Sequence, residues 1–264
     1  MRAHRQLGVV LMAAVLMSCG PVARDATPDL VEPSEARDDD ELHVDFERPL
    51  YRGGSRLFDA GQGWADAVVL ESQPRALTLV AGAADIDRAV SFPPRCSDRR
   101  CVRALVELPD DDRLDPGQQD FVFGARVRLA ADQTDTGSNI VQKGRYETLG
   151  GQWKLQIDGA DGHPSCVLQG NLEGTRESAR LEAAQSVADD TWHSVSCQRS
   201  GDDLTITVDG SSETVAAELG AIANAEPVRI GASGPDYQDD QFHGDIDDVY
   251  FCTGECTAAP RPTA

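Results

Sequence analysis

The chain has 264 residues, with 24 Lys plus Arg against 45 Asp plus Glu, and a formal net charge of −21 at pH 7. That excess of acid repels phosphate backbones, which excludes nucleic-acid binding through clustered Lys and Arg. It suits solubility and low nonspecific adhesion outside a cell.

The first eighteen residues have three parts. Met1 to Gln6 carry Arg2 and Arg5 and no acid, Leu7 to Met17 are apolar apart from Gly8, and Ser18 is small. A positive start, a short apolar run and a small residue before a break describe an export signal over residues 1–18. The run is too short to cross a hydrocarbon core of about 30 Å as a helix. Leu16-Met17-Ser18-Cys19 resembles the bacterial lipobox, in which the cysteine sulfur receives a diacylglyceryl group. Cys19 is therefore the expected lipidation site, and it accounts for the odd count of seven cysteines. Both arginines leave with the signal, so the mature chain carries −23. Such a chain gains nothing from anionic lipid heads, and its membrane partner is held by acyl chains alone. The expected location is the outer face of the bacterial cell membrane, reached by export and kept by the lipid anchor.

Residues 19–41 form an acidic linker. They show no apolar periodicity, contain three prolines and end in an acidic run, so they bury too little surface to fold. As a flexible tether this stretch spans about 25–30 Å on average. From Leu42 the pattern becomes period two, and the folded domain is expected over 42–256, with 257–264 as a tail. In 121–129, FVFGARVRL, the odd positions are apolar. The runs 153–158 and 204–209 alternate in the same way. Alternation at 180° per residue means strands with one buried and one wet face. Further strands are expected at 42–47, 67–70, 76–80, 88–92, 102–107, 165–169, 193–199, 227–231 and 245–251. About a dozen short strands separated by Gly, Asp, Asn and Pro clusters indicate an all-β antiparallel sandwich.

The six cysteines after Cys19 fall into sequence-adjacent couples, although six thiols allow fifteen connectivities. Cys166 and Cys197 lie in strand patterns, and a bridge between them is expected to staple neighbouring strands. It closes a loop of about 30 residues and contributes roughly 3–4 kcal/mol in the chain-entropy model. Cys96–Cys101 and Cys252–Cys256 each close a small loop. The CxxxxC and CxxxC spacings are not tight zinc knuckles, and export favours oxidation, so disulfides are expected over zinc.

Residues 192–199, WHSVSCQR, then a turn, then Leu204 to Gly210, LTITVDG, resemble the central hairpin of laminin-G-like domains in the concanavalin-A-like jelly-roll superfamily. Arg88–Phe92, Asn139–Gly144, Val228–Gly231 and Phe242–Val249 follow in matching order. The resemblance covers about residues 42–252 and implies a jelly-roll β-sandwich of the concanavalin-A/laminin-G type. On the hairpin, alternation puts Leu204, Ile206 and Val208 on one face and Thr205 and Thr207 on the other, and Asp209-Gly210 supplies a turn with positive φ.

Hydrolytic members of the superfamily carry a strand with Glu and Asp at alternating positions, which sets a carboxylate pair across the scissile bond. The nearest run here, Asp245 to Val249, has no glutamate and matches the closing strand instead. No nucleophile elbow, zinc-binding helix motif or phosphate loop is present in the sequence. The expected function is noncatalytic: a surface-displayed binding module for a glycan or a surface-protein ligand. The alternatives are a glycan-cleaving enzyme on the same scaffold and a structural envelope protein. Ca²⁺ is the cofactor to consider, because related jelly rolls hold it at the rim through carboxylates and carbonyls. Asp45 on the first strand is expected beside the closing strand with Asp247 and Asp248. The 132–139 loop is a second oxygen-rich stretch. With aromatic content of 5%, stacking surfaces are few, and Trp64, Tyr51, Tyr146 and Tyr237 are the candidates. A ligand rim is expected around Asp135, Ser138 and Lys143, with Tyr237 to Gln241 alongside, because loops carry binding while strands carry packing.

Overall fold

The computed structural model describes residues 41–61, 63–83, 87–97, 100–236 and 240–254. Among them run seventeen strands: β1 (Leu42–Val44), β2 (Pro49–Arg52), β3 (Ser55–Phe58), β4 (Ala67–Glu71), β5 (Thr78–Ala81), β6 (Arg88–Ser91), β7 (Ala104–Leu108), β8 (Phe121–Arg128) and β9 (Ser138–Lys143). They continue as β10 (Gln152–Asp158), β11 (His163–Leu172), β12 (Thr175–Glu182), β13 (Trp192–Ser200), β14 (Asp203–Val208), β15 (Ser211–Ala216), β16 (Val228–Ile230) and β17 (Asp245–Thr253). Two antiparallel sheets result. The first has the order β15-β14-β13-β8-β17-β6-β5, with β1 also on β17, and the second β12-β11-β10-β9-β16-β7-β4-β3-β2. This is an all-β sandwich of the concanavalin-A-like jelly-roll kind.

The alternation read from the sequence is what glues the layers. Phe121, Phe123, Ala125 and Val127 of β8 are buried, as are Trp153, Leu155 and Ile157 of β10. Trp153 from the nine-stranded sheet lies between Phe123 and Phe251 of the eight-stranded one, at ring-centroid distances of 4.9 and 5.0 Å. Its indole N–H is not orphaned, because it donates to the Leu114 carbonyl at 3.1 Å. Leu204, Ile206 and Val208 are buried. On the other face of the hairpin, Thr205 bonds Thr214 and Thr207 bonds Ser212, each at 2.8 Å. Asp209 and Gly210 take φ of 50° and 83°, which matches a two-residue hairpin turn between Val208 and Ser211.

Both expected bridges that lie wholly within the described residues form, Cys166–Cys197 and Cys96–Cys101. The first needs one correction. Cys166 sits on β11 and Cys197 on β13, which belong to opposite sheets, so the bridge crosses the sandwich rather than stapling neighbouring strands. Cys252 is disulfide-bonded, and Cys256 lies outside the described residues. The export signal with Cys19, the linker up to residue 40, the 257–264 tail and Tyr237 also lie outside them. Glu41, expected to close the linker, belongs to the fold instead: it is buried, and its carbonyl accepts the Trp64 indole N–H at 3.0 Å.

Candidate functional site

The outer face of the nine-stranded sheet carries a groove of about 400 Å³. Its floor and one lip are Gln142, Gln152, Lys154, Gln156, Arg145 and Tyr146, and Ser233 and Asp240 stand on the other side. Strand parity explains the floor. Trp153, Leu155 and Ile157 fill the core, so Lys154 and Gln156 project from the opposite face. Gln142 lies directly across from Lys154 in the β9–β10 register.

The lip is a short loop between β9 and β10. Arg145 and Thr148 hold it in a turn, through Thr148 N–H to the Arg145 carbonyl at 2.9 Å and Arg145 N–H to the Thr148 hydroxyl at 2.8 Å. The Arg145 guanidinium donates to the Ser233 carbonyl at 2.7 Å, across the groove. Arg176 on β12 donates to the Tyr146 carbonyl at 3.1 Å. The backbone of Tyr146 is thereby fixed while its ring is 68% exposed.

Two cations, Lys154 and Arg145, and one acid, Asp240, line the groove among the described residues. Lys154 Nζ donates to Asp240 at 3.1 Å, and Asp240 is the one acid among the lining residues. Its polar character comes from amides. The Gln142 amide donates to the Gly144 carbonyl at 2.9 Å and the Gln156 amide to Asp158. Two neighbours on the sheet are less satisfied. Both polar side-chain atoms of Asn139, opposite Gln156, and Oε1 of Gln169, opposite Gln152, are buried with no hydrogen-bond partner among the described residues. Buried amides left open in this way are costly unless something bonds them.

The predicted rim does not assemble. Lys143 points inward with Trp153, its register partner, and is fully buried. Its ammonium meets Asp115 at 2.6 Å, Asp110 at 2.8 Å and the Asn224 carbonyl. Ser138 is also buried, and Asp135 is taken up by an ion pair with Arg95 at 3.6 Å. The physical reason is length: the six residues of β9 put Ser138 and Lys143 at opposite ends of a strand about 17 Å long, and Asp135 precedes its first residue. Of the aromatic candidates, Tyr146 lines the groove. Trp64 is covered by the Arg113 guanidinium at 3.8 Å, and Tyr51 lies exposed on edge strand β2.

A second constellation lies on the other sheet. Carboxylate oxygens of Asp87, Asp247 and Asp248 are within 4.8 Å of one another. A bulge in β17 builds it, with the register to β8 shifting between Asp247 and Tyr250, and Asp248 taking a φ of 47°. Asp247 is fully buried and its Oδ2 has no hydrogen-bond partner among the described residues. Burial, then the Asp248 and Asp87 charges, push its carboxyl up to about 8. Burial pushes Asp248 the same way, but the hydrogen bond from His43 and the Arg126 charge hold it below the usual range. Glu47 is raised, first by its hydrogen bond with Asp87. Gly82 leaves the space, because a Cβ there would stand 2.8 Å from Asp247 Oδ2. The donor set suits a hard dication that takes oxygen ligands. The sequence reading found Asp247 and Asp248 but put Asp45 where Asp87 stands. Asp45 bonds the Glu47 backbone N–H at 3.1 Å instead. Asp87 reaches the cluster only through the pairing of β6 with β17, a contact between residues more than 150 apart that no local pattern announces.

A family model described as the concanavalin A-like lectin/glucanases superfamily matches residues 103–259. No curated protein matches the chain. Among solved structures, one of botulinum neurotoxin type C, which interacts with two ganglioside molecules, aligns with a TM-score of 0.51 at 13% identity, over 81% of this chain and 48% of that one. The binding domain of botulinum neurotoxin DC in complex with SialylT gives 0.51 at 12% identity, over 82% of this chain and 49% of that one. Domain 4 of AbnA, a GH43 extracellular arabinanase from Geobacillus stearothermophilus, in complex with arabinotriose, gives 0.51 at 12% identity, over 82% of this chain and 93% of that one. The chain thus spans about half the length of the toxin chains and nearly all of the arabinanase domain. At these identities the likeness establishes the fold.

Proposed function

Because the chain belongs to the concanavalin A-like lectin/glucanase superfamily, we propose that it is a noncatalytic glycan-binding module and that the groove over β9 to β11 is its binding site. The observation that carries this reading is the amide floor beneath an exposed tyrosine. Gln142, Gln152 and Gln156 offer paired donors and acceptors suited to sugar hydroxyls. Tyr146 offers an apolar ring face at the lip, on a backbone already held in place. The open amide atoms of Asn139 and Gln169 beside the floor are what a polar ligand or bridging water satisfies. Glycan complexes of fold neighbours, arabinotriose on the arabinanase domain among them, support the ligand class. The noncatalytic reading rests on the floor: a cleaving pair needs two carboxyl groups about 5–5.5 Å or 6.5–9.5 Å apart. Among the described residues the lining has one acid, and it is committed to Lys154.

Calcium in this reading has a structural role at Asp87, Asp247 and Asp248, on the sheet opposite the groove. It would bond the open Oδ2 of the buried Asp247 carboxylate and lock β6 to the bulge of β17 without touching the glycan. Display is through lipid on Cys19, which the Leu16–Cys19 pattern supports.

The test is a glycan array probed with the wild-type chain, Tyr146→Ala and Gln156→Ala, with and without EDTA below the melting temperature. Binding by wild type, lost in both variants at unchanged melting temperature and indifferent to EDTA, is expected. Release of reducing ends from a bound polysaccharide would overturn the noncatalytic assignment.

A further inference from the structure

His193, the second residue of β13, is buried with a carboxylate at each ring nitrogen. Nδ1 stands 2.7 Å from Oδ2 of Asp209, on the β14–β15 turn, and Nε2 stands 3.0 Å from Oδ1 of Asp189. Ionised carboxylates only accept hydrogen bonds, and a neutral imidazole carries a single N–H. Both contacts are therefore hydrogen bonds only when the ring is an imidazolium. Asp189 is ionised at any ordinary pH, because hydrogen bonds from Thr191 and then His193 lower its carboxyl to about 2. Asp209 accepts on both oxygens, from the Ser194 N–H at 2.9 Å and the Gln185 amide at 3.1 Å besides the ring. From β8 the ring meets its register partner Val127, while the flanking Arg126 and Arg128 lie on the other face of the sheet and pair with Asp248 and Asp245.

Thr191 makes the arrangement two-state. Its hydroxyl donates to Asp189 at 2.7 Å, and its oxygen lies 3.2 Å from His193 Nε2. With the ring charged, that oxygen and Asp189 both accept from Nε2–H. With the ring neutral and its proton on Nδ1, the hydroxyl can donate to Nε2 only by giving up Asp189. The segment so held, residues 183–191 between β12 and β13, bridges the two sheets. On the nine-stranded side the Ala183 N–H donates to the Pro164 carbonyl at 2.9 Å, and the Val187 N–H to the Gly162 carbonyl at 3.0 Å. On the eight-stranded side the Ala184 N–H meets the Glu213 carboxylate at 2.7 Å, and the Asp190 N–H the Leu129 carbonyl at 2.9 Å. His163 holds the Ala183 carbonyl through Nδ1 at 2.9 Å, a bond that a neutral ring also makes.

We propose that His193 is a pH-sensitive latch: its imidazolium ties the 183–191 segment, through Asp189, to the β14–β15 turn, through Asp209, and loss of the proton releases Asp189 and loosens the segment. Burial alone would lower the His193 value, but the bonds to Asp209 and Asp189 raise it above the ordinary 6.5. The latch thus contributes fully below 6.5, where the unfolded ring is charged as well, and is lost as pH rises through the raised folded value. It is closed in mild acid and opens on the alkaline side.

Amide exchange of residues 184–190 in the full chain, followed from about pH 5 to pH 9 beside the imidazole NMR signals, tests the latch. Rates are corrected for intrinsic catalysis and referred to core amides of β8, which removes any uniform change in stability. A His193 midpoint above 6.5 is expected, with segment opening increasing at that midpoint by about two- to fivefold, the size of a partly exposed ion pair. His193→Gln should remove the step, Asp189→Asn should lower the midpoint and shrink the step, and His163→Gln should leave it in place. Should His193→Gln fail to fold, Asp189→Asn decides, since that side chain is 57% exposed. A His193 midpoint at or below 6.5, flat exchange across the range, an equal step in His193→Gln or Asp189→Asn, or loss of the step in His163→Gln overturns the proposal.

Discussion

Replacing Lys143 with alanine should destabilise the fold heavily and leave the amide groove's chemistry untouched below the melting temperature. The side chain is fully buried, and its ammonium is shared by Asp115, Asp110 and the Asn224 carbonyl. Asp115 is itself largely buried and also accepts the Asn224 N–H at 3.0 Å. Removing the cation strands that carboxylate beside a carbonyl with no counter-charge, a change that costs about 3–5 kcal/mol when a buried pair is broken. The excised butyl-ammonium stem adds a cavity next to Trp153. At about 2–4 °C per kcal/mol for a domain of this size, the melting temperature should fall by about 6–20 °C. Adding Asp115→Asn to a Lys143→Met variant should recover part of the loss, because it removes the stranded charge while keeping the volume. Calorimetry on the wild type and the three variants is the assay. A melting temperature within about 2 °C of wild type for Lys143→Ala would refute the buried-triad account and return Lys143 to the ligand rim.

The inter-sheet bridge should behave as a staple: Cys166→Ser is expected to lower stability by about 3–4 kcal/mol in the chain-entropy model, read as a drop in denaturant midpoint. EDTA should lower the melting temperature of wild type but not of Asp247→Asn, and equal sensitivity in both would disprove the metal centre. The Asp247 carboxyl is raised in the folded state, so the metal-free fold is favoured below the unfolded value near 3.8 and loses that advantage as pH climbs toward about 8. Melting temperatures in EDTA should accordingly be higher at pH 5 than at pH 8, with calcium narrowing the gap. Cys19→Ala should abolish palmitate labelling in a bacterial host, and persistent labelling would rule out that anchor.

How far the sequence carried the fold depended on burial contrast. Strands between two wet and dry faces, such as β8, β10 and β14, alternate cleanly and were legible within a residue or two. The four strands that went unread lie at or next to sheet edges. All six residues of β15 are exposed, and of the eight in β12 Leu181 is the one that is buried, so neither writes a period-two signal. The β2–β3 hairpin is short, turns through Gly53-Gly54 and buries only Leu57 and Phe58. Edge strands are built from polar residues for the reason that makes them hard to see.

The candidate site fails and succeeds on the same rule. In Asn139 to Lys143 the parity that puts Val141 in the core also puts Lys143 there. The charge of Lys143 suggested exposure, and two aspartates from the segment after β7 made burial tolerable. The same parity places Gln142, Lys154 and Gln156 on the outer face, so the floor of the groove was half legible from β10 alone. What no local pattern supplied was the neighbour order β10-β9-β16, which brings Ser233 and Asp240 over that floor.

That order also matches acids with cations on the sheet that carries the groove. On the nine-stranded sheet the acids of the groove region are matched by cations, Asp240 by Lys154 and Glu107 by Arg229 at 2.9 Å. On the eight-stranded sheet Asp87 and Asp247 crowd together beyond what His43 and Arg126 can neutralise, since both of those serve Asp248. The crowded acids are thus on the sheet opposite the groove, where burial and the Asp248 and Asp87 charges push the Asp247 carboxyl up to about 8. On the proposed reading, the acid cluster and the amide groove on opposite sheets answer to different perturbations. Chelation acts on stability, and substitution at Tyr146 or Gln156 acts on binding.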